Sequence, residues 1–174
     1  MAIASLVEDY LLRHGARYDV VGHPRSSHSA ETAELAHIPG ERLVKSVVLR
    51  DEDDAVLLAV LPSTLSVHLG HLSAETHRHL RLADAADLQG VFPDCSLGAI
   101  PPLGPAYGVR IILDDSIEAH QDLYFEAGDH EHLVHMTTAQ FMALVGPVQK
   151  VHFGVTTHRQ DDPTHPRARG SAPR

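Results

Sequence analysis

Two apolar runs, residues 43–50 and 55–61, separated by Asp51-Glu52-Asp53-Asp54, constrain this chain more than any other feature. Each run has strand length and branched aliphatic content, and an acidic turn between them specifies an antiparallel hairpin. Alternate side chains of a strand share a face, so Lys45 would stand beside Leu43, Val47 and Leu49. An ammonium among aliphatics is costly unless it finds a partner. Lys45, one of only two lysines with Lys150, therefore either snorkels at an edge or meets an anionic or carbonyl-bearing ligand.

Around the hairpin the pattern alternates irregularly. Ile3, Leu6, Val7, Tyr10 and Leu11 recur at helical spacing and Gly15 stops them, which predicts an amphipathic helix over 3–14. Residues 18–21 read as extended, and 29–37 as a helix capped by Ser29 and ended by Pro39-Gly40. Residues 64–92 read as two helical pieces, the second from near Asp84, with Pro93 closing the stretch. The segment 97–105 holds three prolines, which lack donors and fix φ, so it is expected as a shaped loop. Strands are expected over 109–113, 123–126 and 132–136, then a helix over 138–144 ended by Gly146-Pro147. From residue 155 apolar periodicity is lost. The expectation is one α+β domain with a mixed sheet over 1–154 and a disordered tail over 155–174.

Composition narrows the class. No stretch approaches the roughly 18 apolar residues of a membrane span, and the N-terminus runs into Glu8-Asp9 without a leader pattern, so a soluble cytoplasmic protein is expected. Cys95 is the only cysteine, which excludes an internal disulfide. A formal net charge of -9 opposes non-specific nucleic-acid binding, so any RNA partner must be gripped locally.

Three features can carry chemistry: Lys45, the loop Gly98-Ala99-Ile100-Pro101, and Gly128-Asp129-His130 ahead of a strand. Glycine lets a ligand approach the backbone and prolines hold the turn rigid, an arrangement that suits an oxyanion or carbonyl site. His130, His132 and His135 offer a metal alternative, but Leu133 to Gln140 contains no carboxylate to complete it, so no metal and no cofactor is expected. Cys95 has no evident base beside it, and Asp51 to Asp54 and Asp114-Asp115 read as a turn and a strand end.

Together the segments Ser29-Ala30-Glu31-Thr32-Ala33, Ile38-Pro39-Gly40, Leu43 to Leu49, Leu58 to Pro62, Phe92 to Cys95, Gly98 to Gly104 and Phe125 to His130 resemble, in order, the YbaK/prolyl-tRNA synthetase-associated editing domain family. The resemblance implies a mixed, barrel-like sheet surrounded by helices, and hydrolysis of the ester joining a wrong amino acid to the 3′ end of tRNA. It implies that Lys45 is required for activity, that Gly98 lies beside the substrate carbonyl, and that His130 lines the pocket. Ser46, Ala99, Ile100 and Pro101 beside them are then expected to bind substrate. Arg42, Arg50, Arg78 and Arg81 are candidates for contact with the tRNA acceptor end. The form of the loop favours removal of serine, threonine or alanine over cysteine, by a metal-independent deacylase acting as a monomer or weak dimer, with an aminoacyl-tRNA synthetase as a further partner. The rival expectation is a non-catalytic module of the same fold that binds aminoacyl-tRNA, a free amino acid or a synthetase.

Overall fold

The computed structural model describes residues 3–156. Five helices, α1 (Ser5–Arg13), α2 (Ser29–Leu35), α3 (Leu69–Thr76), α4 (Ala85–Val91) and α5 (Thr138–Val145), pack around a mixed sheet. Its strands are β1 (Asp19–Gly22), β2 (Leu43–Arg50), β3 (Val56–Pro62), β5 (Arg81–Leu82), β6 (Arg110–Asp114), β7 (Asp122–Glu126), β8 (His132–Thr137) and β9 (Gln149–Val151). The spatial order is β1-β8-β7-β2-β3-β6-β9, with β5 added to β2; β4 (Leu65–Val67) and β10 (Gly154–Thr156) form a separate ribbon. The expected α+β class with a mixed sheet is what the chain forms. Among the described residues β1 and β9 do not pair with each other, so the barrel-like sheet stays open.

The hairpin sits at the centre of the sheet. β2 and β3 are antiparallel with Lys45 opposite Leu61, while β2 pairs β7 and β3 pairs β6 in parallel. The acidic turn closes because Asp51 folds over it: its Oδ1 accepts the N–H groups of Asp53 (3.0 Å) and Ala55 (2.9 Å), and Asp54 takes the left-handed φ of 60° that the turn requires. Arg78 then reaches the other oxygen of Asp51 at 2.6 Å.

The sheet buries both faces. Val44 and Val48 point into the main core with Leu58, Val60 and Phe125, against Val7 and Leu11 of α1 and Phe141 of α5. On the opposite face Leu49 and Leu61 pack on Leu72 of α3 and on Phe153, while Leu43 packs with Leu133 on Ala33 of α2. Truncating such a leucine to alanine costs about 2–5 kcal/mol. Lys45 lies between these two clusters, so strand alternation delivers its stem to a seam between packed patches.

Several local expectations change. The stretch 64–92 contains α3 and α4 but also the short strands β4 and β5, and α4 starts on a capping box between Asp84 and Asp87. In α2 the residue at the cap position is His28 rather than Ser29, and no side chain caps the helix there. The carboxylate of Glu31 instead takes the Ser27 N–H at 3.0 Å. Strands β9 and β10 were not expected. They are fastened by Asp114, whose Oδ2 accepts the N–H groups of Phe153 (3.0 Å) and Gly154 (2.6 Å). Residues 155 and 156, expected in the tail, belong to β10; the remainder of that tail, 157–174, lies outside the described residues. No helix among the described residues is long and apolar enough to cross a membrane.

Candidate functional site

A cavity of about 360 Å³ opens where β2, the first turn of α2, the Gly98 loop and the β7–β8 turn meet. Lys45, Ser46, Gly98, Ile100 and His130 line it together. These residues come from three distant parts of the sequence, and their meeting is a product of the sheet order.

Lys45 is half-buried. Its Nζ donates only a long contact, 3.5 Å, to the Ser63 carbonyl, and no carboxylate lies within 4 Å of it among the described residues. Burial pushes its pKa below the ordinary lysine value, since desolvation penalises the charged form. An ammonium in this position has spare donors directed at whatever fills the cavity.

The Gly98 loop is held at both ends. Ser96 N–H donates to the Gly128 carbonyl at 2.8 Å, and Ala99 N–H returns to the Ser96 carbonyl at 3.1 Å, which leaves the Gly98 N–H outside the turn's own bonding. Gly98 has φ +86°, and a Cβ there would stand 3.3 Å from Cε1 of His130. Glycine is thus required twice, by backbone conformation and by the histidine against it. Ala99 and Pro101, expected at the substrate, are packed inside and do not line the cavity; they brace the loop from behind.

His130 is itself in the left-handed region, φ 66°. Its Nε2 lies 2.6 Å from the Leu97 carbonyl, and a carbonyl can only accept, so the ring proton sits on Nε2 and a neutral ring keeps Nδ1 as an acceptor. Asp129 shapes the turn by accepting the N–H groups of Glu131 and His132, each at 2.9 Å. Burial alone would raise the Asp129 carboxyl, but these donors and His132 hold it below the usual range.

Of the cavity residues that the sequence reading did not single out, Glu126 is the one that is both buried and ionisable. Glu126 is only 7% exposed, and its Oε1 accepts the Thr32 hydroxyl at 3.2 Å while Oε2 has no partner among the described residues. Burial raises its pKa, partly offset by His23 and the Thr32 hydroxyl. The signal was the same as for Lys45, an ionisable side chain ending an apolar strand, Leu123-Tyr124-Phe125-Glu126.

Other candidates are placed elsewhere. Arg42 pairs with Asp122 at 3.1 Å, Arg78 with Asp51 and Arg81 with Asp54 at 2.6 Å each, and Arg50 with Asp87, so none of the four enters the cavity. The three histidines do not converge: His132 meets Asp129 at 2.6 Å and His135 meets Asp122 at 2.8 Å, while His130 turns to Leu97. Cys95 lies against the Tyr107 hydroxyl at 3.1 Å, and burial pushes its thiol up to about 12, so it is no nucleophile at neutral pH.

Comparison with known proteins bears on family and fold. The model of the aminoacyl-tRNA editing domain matches residues 23–144, a span that includes every cavity residue named above. A solved structure described as a candidate trans-editing enzyme for prolyl tRNA synthetase superposes with a TM-score of 0.76 at 21% identity, covering 87% of this chain and 96% of that one. A scaffold protein from work on computational grafting of linear epitopes has the same TM-score of 0.76 at 18% identity, covering 88% and 97% of the two chains. Part of a candidate signal transduction protein from Marinobacter aquaeolei VT8 superposes with a TM-score of 0.70 at 20% identity, covering 86% of this chain and 30% of that one. At these identities the structures establish the shared fold. No curated protein sequence matches the chain.

Proposed function

Because the chain belongs to the aminoacyl-tRNA editing domain family, we propose that it hydrolyses the ester of mischarged aminoacyl-tRNA in trans, releasing a small amino acid. The observation that carries this reading is the convergence of Lys45, Gly98 and His130 on one cavity. An aminoacyl ester is already activated, so catalysis can rest on positioning a water and stabilising the developing oxyanion. The Lys45 ammonium holds the terminal nucleotide or the ester oxygen, and the Gly98 N–H meets the carbonyl oxygen as it gains charge. His130 Nδ1 accepts a hydrogen bond from the attacking water or orients the amino acid. Water adds to the carbonyl carbon and the ester C–O bond breaks. The tRNA hydroxyl leaves with one proton, and the amino acid departs as a carboxylate with release of the other.

A cavity of about 360 Å³ stands at the small end of ligand sites, roughly 300–1,000 Å³, which favours a small amino acid, and the form of the Gly98 loop favours serine, threonine or alanine among these. A charged tRNA as substrate puts the activity in the cytoplasm. His28, His130 and Glu126 line the cavity but, among the described residues, do not gather their ligand atoms into a group that could hold a metal ion, so turnover should persist in EDTA. The test is a panel of mischarged tRNAs. Release of a small amino acid by the native protein supports the proposal; binding of the panel without hydrolysis of any member replaces it with a non-catalytic binding module.

A further inference from the structure

Lys45 and Glu126 line the same cavity, yet they form no ion pair within 4 Å. A half-buried lysine and a buried carboxyl group that do not pair leave a donor and an acceptor for a ligand. The carboxylate is fixed from one side only. Thr32 Oγ1 holds Oε1 at 3.2 Å and is itself held by Ser26 Oγ at 2.6 Å, so a small hydroxyl network orients the group while Oε2 stays unpartnered among the described residues.

Among the described residues the Thr32 hydroxyl is the one donor within hydrogen-bond distance of the Glu126 carboxyl, and it serves Oε1. His23 is buried, and its Nδ1 donates to the Pro24 carbonyl at 2.8 Å. Its Nε2 is also unpartnered among the described residues. Asp129, the other charged group felt by Glu126, is an acceptor occupied by its own turn. A ligand that satisfies Oε2 must bring a hydrogen-bond donor, and a charged one does so most strongly.

We propose that Glu126 is the recognition group for the free α-ammonium of the aminoacyl ester, so that the site selects unblocked aminoacyl-tRNA and rejects chains whose amino group is acylated. The inference rests on the deacylase reading above and adds what that reading leaves open, the end of the substrate opposite the ester oxygen. In an aminoacyl ester the α-ammonium and the carbonyl are separated by one carbon, which suits a cavity lined by a carboxyl group as well as by an ammonium and an N–H donor. N-acylation removes the charge and adds bulk, leaving Oε2 desolvated and unpaired.

The experiment compares alanyl-, seryl- and threonyl-tRNA with the same preparations after N-acetylation. For the native protein, N-acetylation should lower kcat/KM by about 10- to 100-fold, the usual worth of a hydrogen bond to a charged group. Glu126→Gln should slow the free-amine substrates, chiefly through KM, and narrow the discrimination to less than about 3-fold. Glu126→Asp should restore part of it. Equal native rates on free and acetylated substrates would overturn the inference while leaving the deacylase reading intact. Equal slowing of both by Glu126→Gln, with an unchanged melting temperature, would also overturn it and mark a general base. If no native substrate is hydrolysed the deacylase reading fails, and the same pairs are compared by equilibrium binding. There tighter binding of the free amine, lost in Glu126→Gln, supports the ammonium site; equal binding overturns it.

Discussion

His130 and Gly98 are built against each other. The His130 ring donates from Nε2 to the carbonyl of Leu97, and its Cε1 would stand 3.3 Å from any Cβ attached to Gly98. The loop and the β7–β8 turn therefore fix one another, and the positive φ of both residues is sustained by that contact.

Gly98→Ala tests this pairing. An L residue in the left-handed region costs roughly 1–2 kcal/mol, and the new methyl displaces the imidazole by a few tenths of an ångström. The melting temperature should fall by about 2–4 °C per kcal/mol. Deacylation should fall much further, by about 10-fold or more, because misplacing a carbonyl-binding donor acts on the transition state. Retained turnover in a destabilised variant would remove Gly98 from the site.

Lys45 separates function from stability in the opposite sense. Its ammonium has only a 3.5 Å contact with the Ser63 carbonyl to offset desolvation. Lys45→Met should leave the melting temperature equal or higher while lowering deacylation by about 100-fold or more. Lys45→Arg should not restore activity, since a planar fork cannot occupy the seam as a point charge does. Measured turnover near the native rate in the Met variant would dismiss the lysine as an edge decoration.

The depressed pKa of Lys45 also sets a pH dependence. Burial lowers the folded value below the unfolded one, about 10.4, so between the two the unfolded chain holds more protons. The penalty on stability is then fully present below the folded pKa and is relieved as pH rises through it. Catalysis behaves inversely, because it needs the ammonium. After subtraction of spontaneous ester hydrolysis, kcat/KM should decline on an alkaline limb lying below the ordinary lysine range. A limb at or above that range would contradict a desolvated Lys45.

Much of this was legible in the sequence, and the failures have physical causes. The hairpin was readable because length, aliphatic content and an acidic turn agree, and Lys45 stood out as a charge breaking that agreement. Glu126 broke its strand in the same way, but a glutamate ahead of Ala-Gly-Asp resembles an ordinary strand end, and only the fold shows that it is buried against Thr32 of α2. Strands of two or three residues, β4, β5, β9 and β10, carry no periodicity of their own and exist through tertiary partners such as Asp114. Sequence likewise could not show that Arg78 spends its charge on Asp51, which approaches only when the hairpin turn meets the end of α3.

Asp114 is expected to be a pillar of stability remote from the cavity. It is 1% exposed and accepts N–H groups from Phe153, Gly154 and Ser116, together with the Ser116 hydroxyl. Burial would raise its pKa, but these donors outweigh that and hold it below the usual value. Asp114→Asn should cost about 1.5–3 kcal/mol, since an amide presents a donor where an acceptor is needed. Because the folded pKa is depressed, the native contribution is complete above the unfolded value, about 3.9, and is lost as pH falls through the folded one. Acid melts of the native protein and the variant should converge at low pH.

The arginines decide how the acceptor end is held. Arg50, Arg78 and Arg81 are spent on Asp87, Asp51 and Asp54, so replacing them with alanine should disturb the hairpin end more than tRNA binding. Arg25 differs: it is exposed, it has no carboxylate within 4 Å among the described residues, and it lies two positions before Ser27 at the cavity. A phosphate contact from such a cation contributes about 0.9 to the slope of log K against log salt. Arg25→Ala should therefore weaken binding across all tRNAs and reduce that slope by about 1, whereas Arg50→Ala, Arg78→Ala and Arg81→Ala should leave the slope nearly unchanged. Affinities titrated over a series of salt concentrations distinguish the two. An unchanged slope for Arg25→Ala, with a fall for the other three, would move the tRNA path from the cavity mouth to the hairpin end.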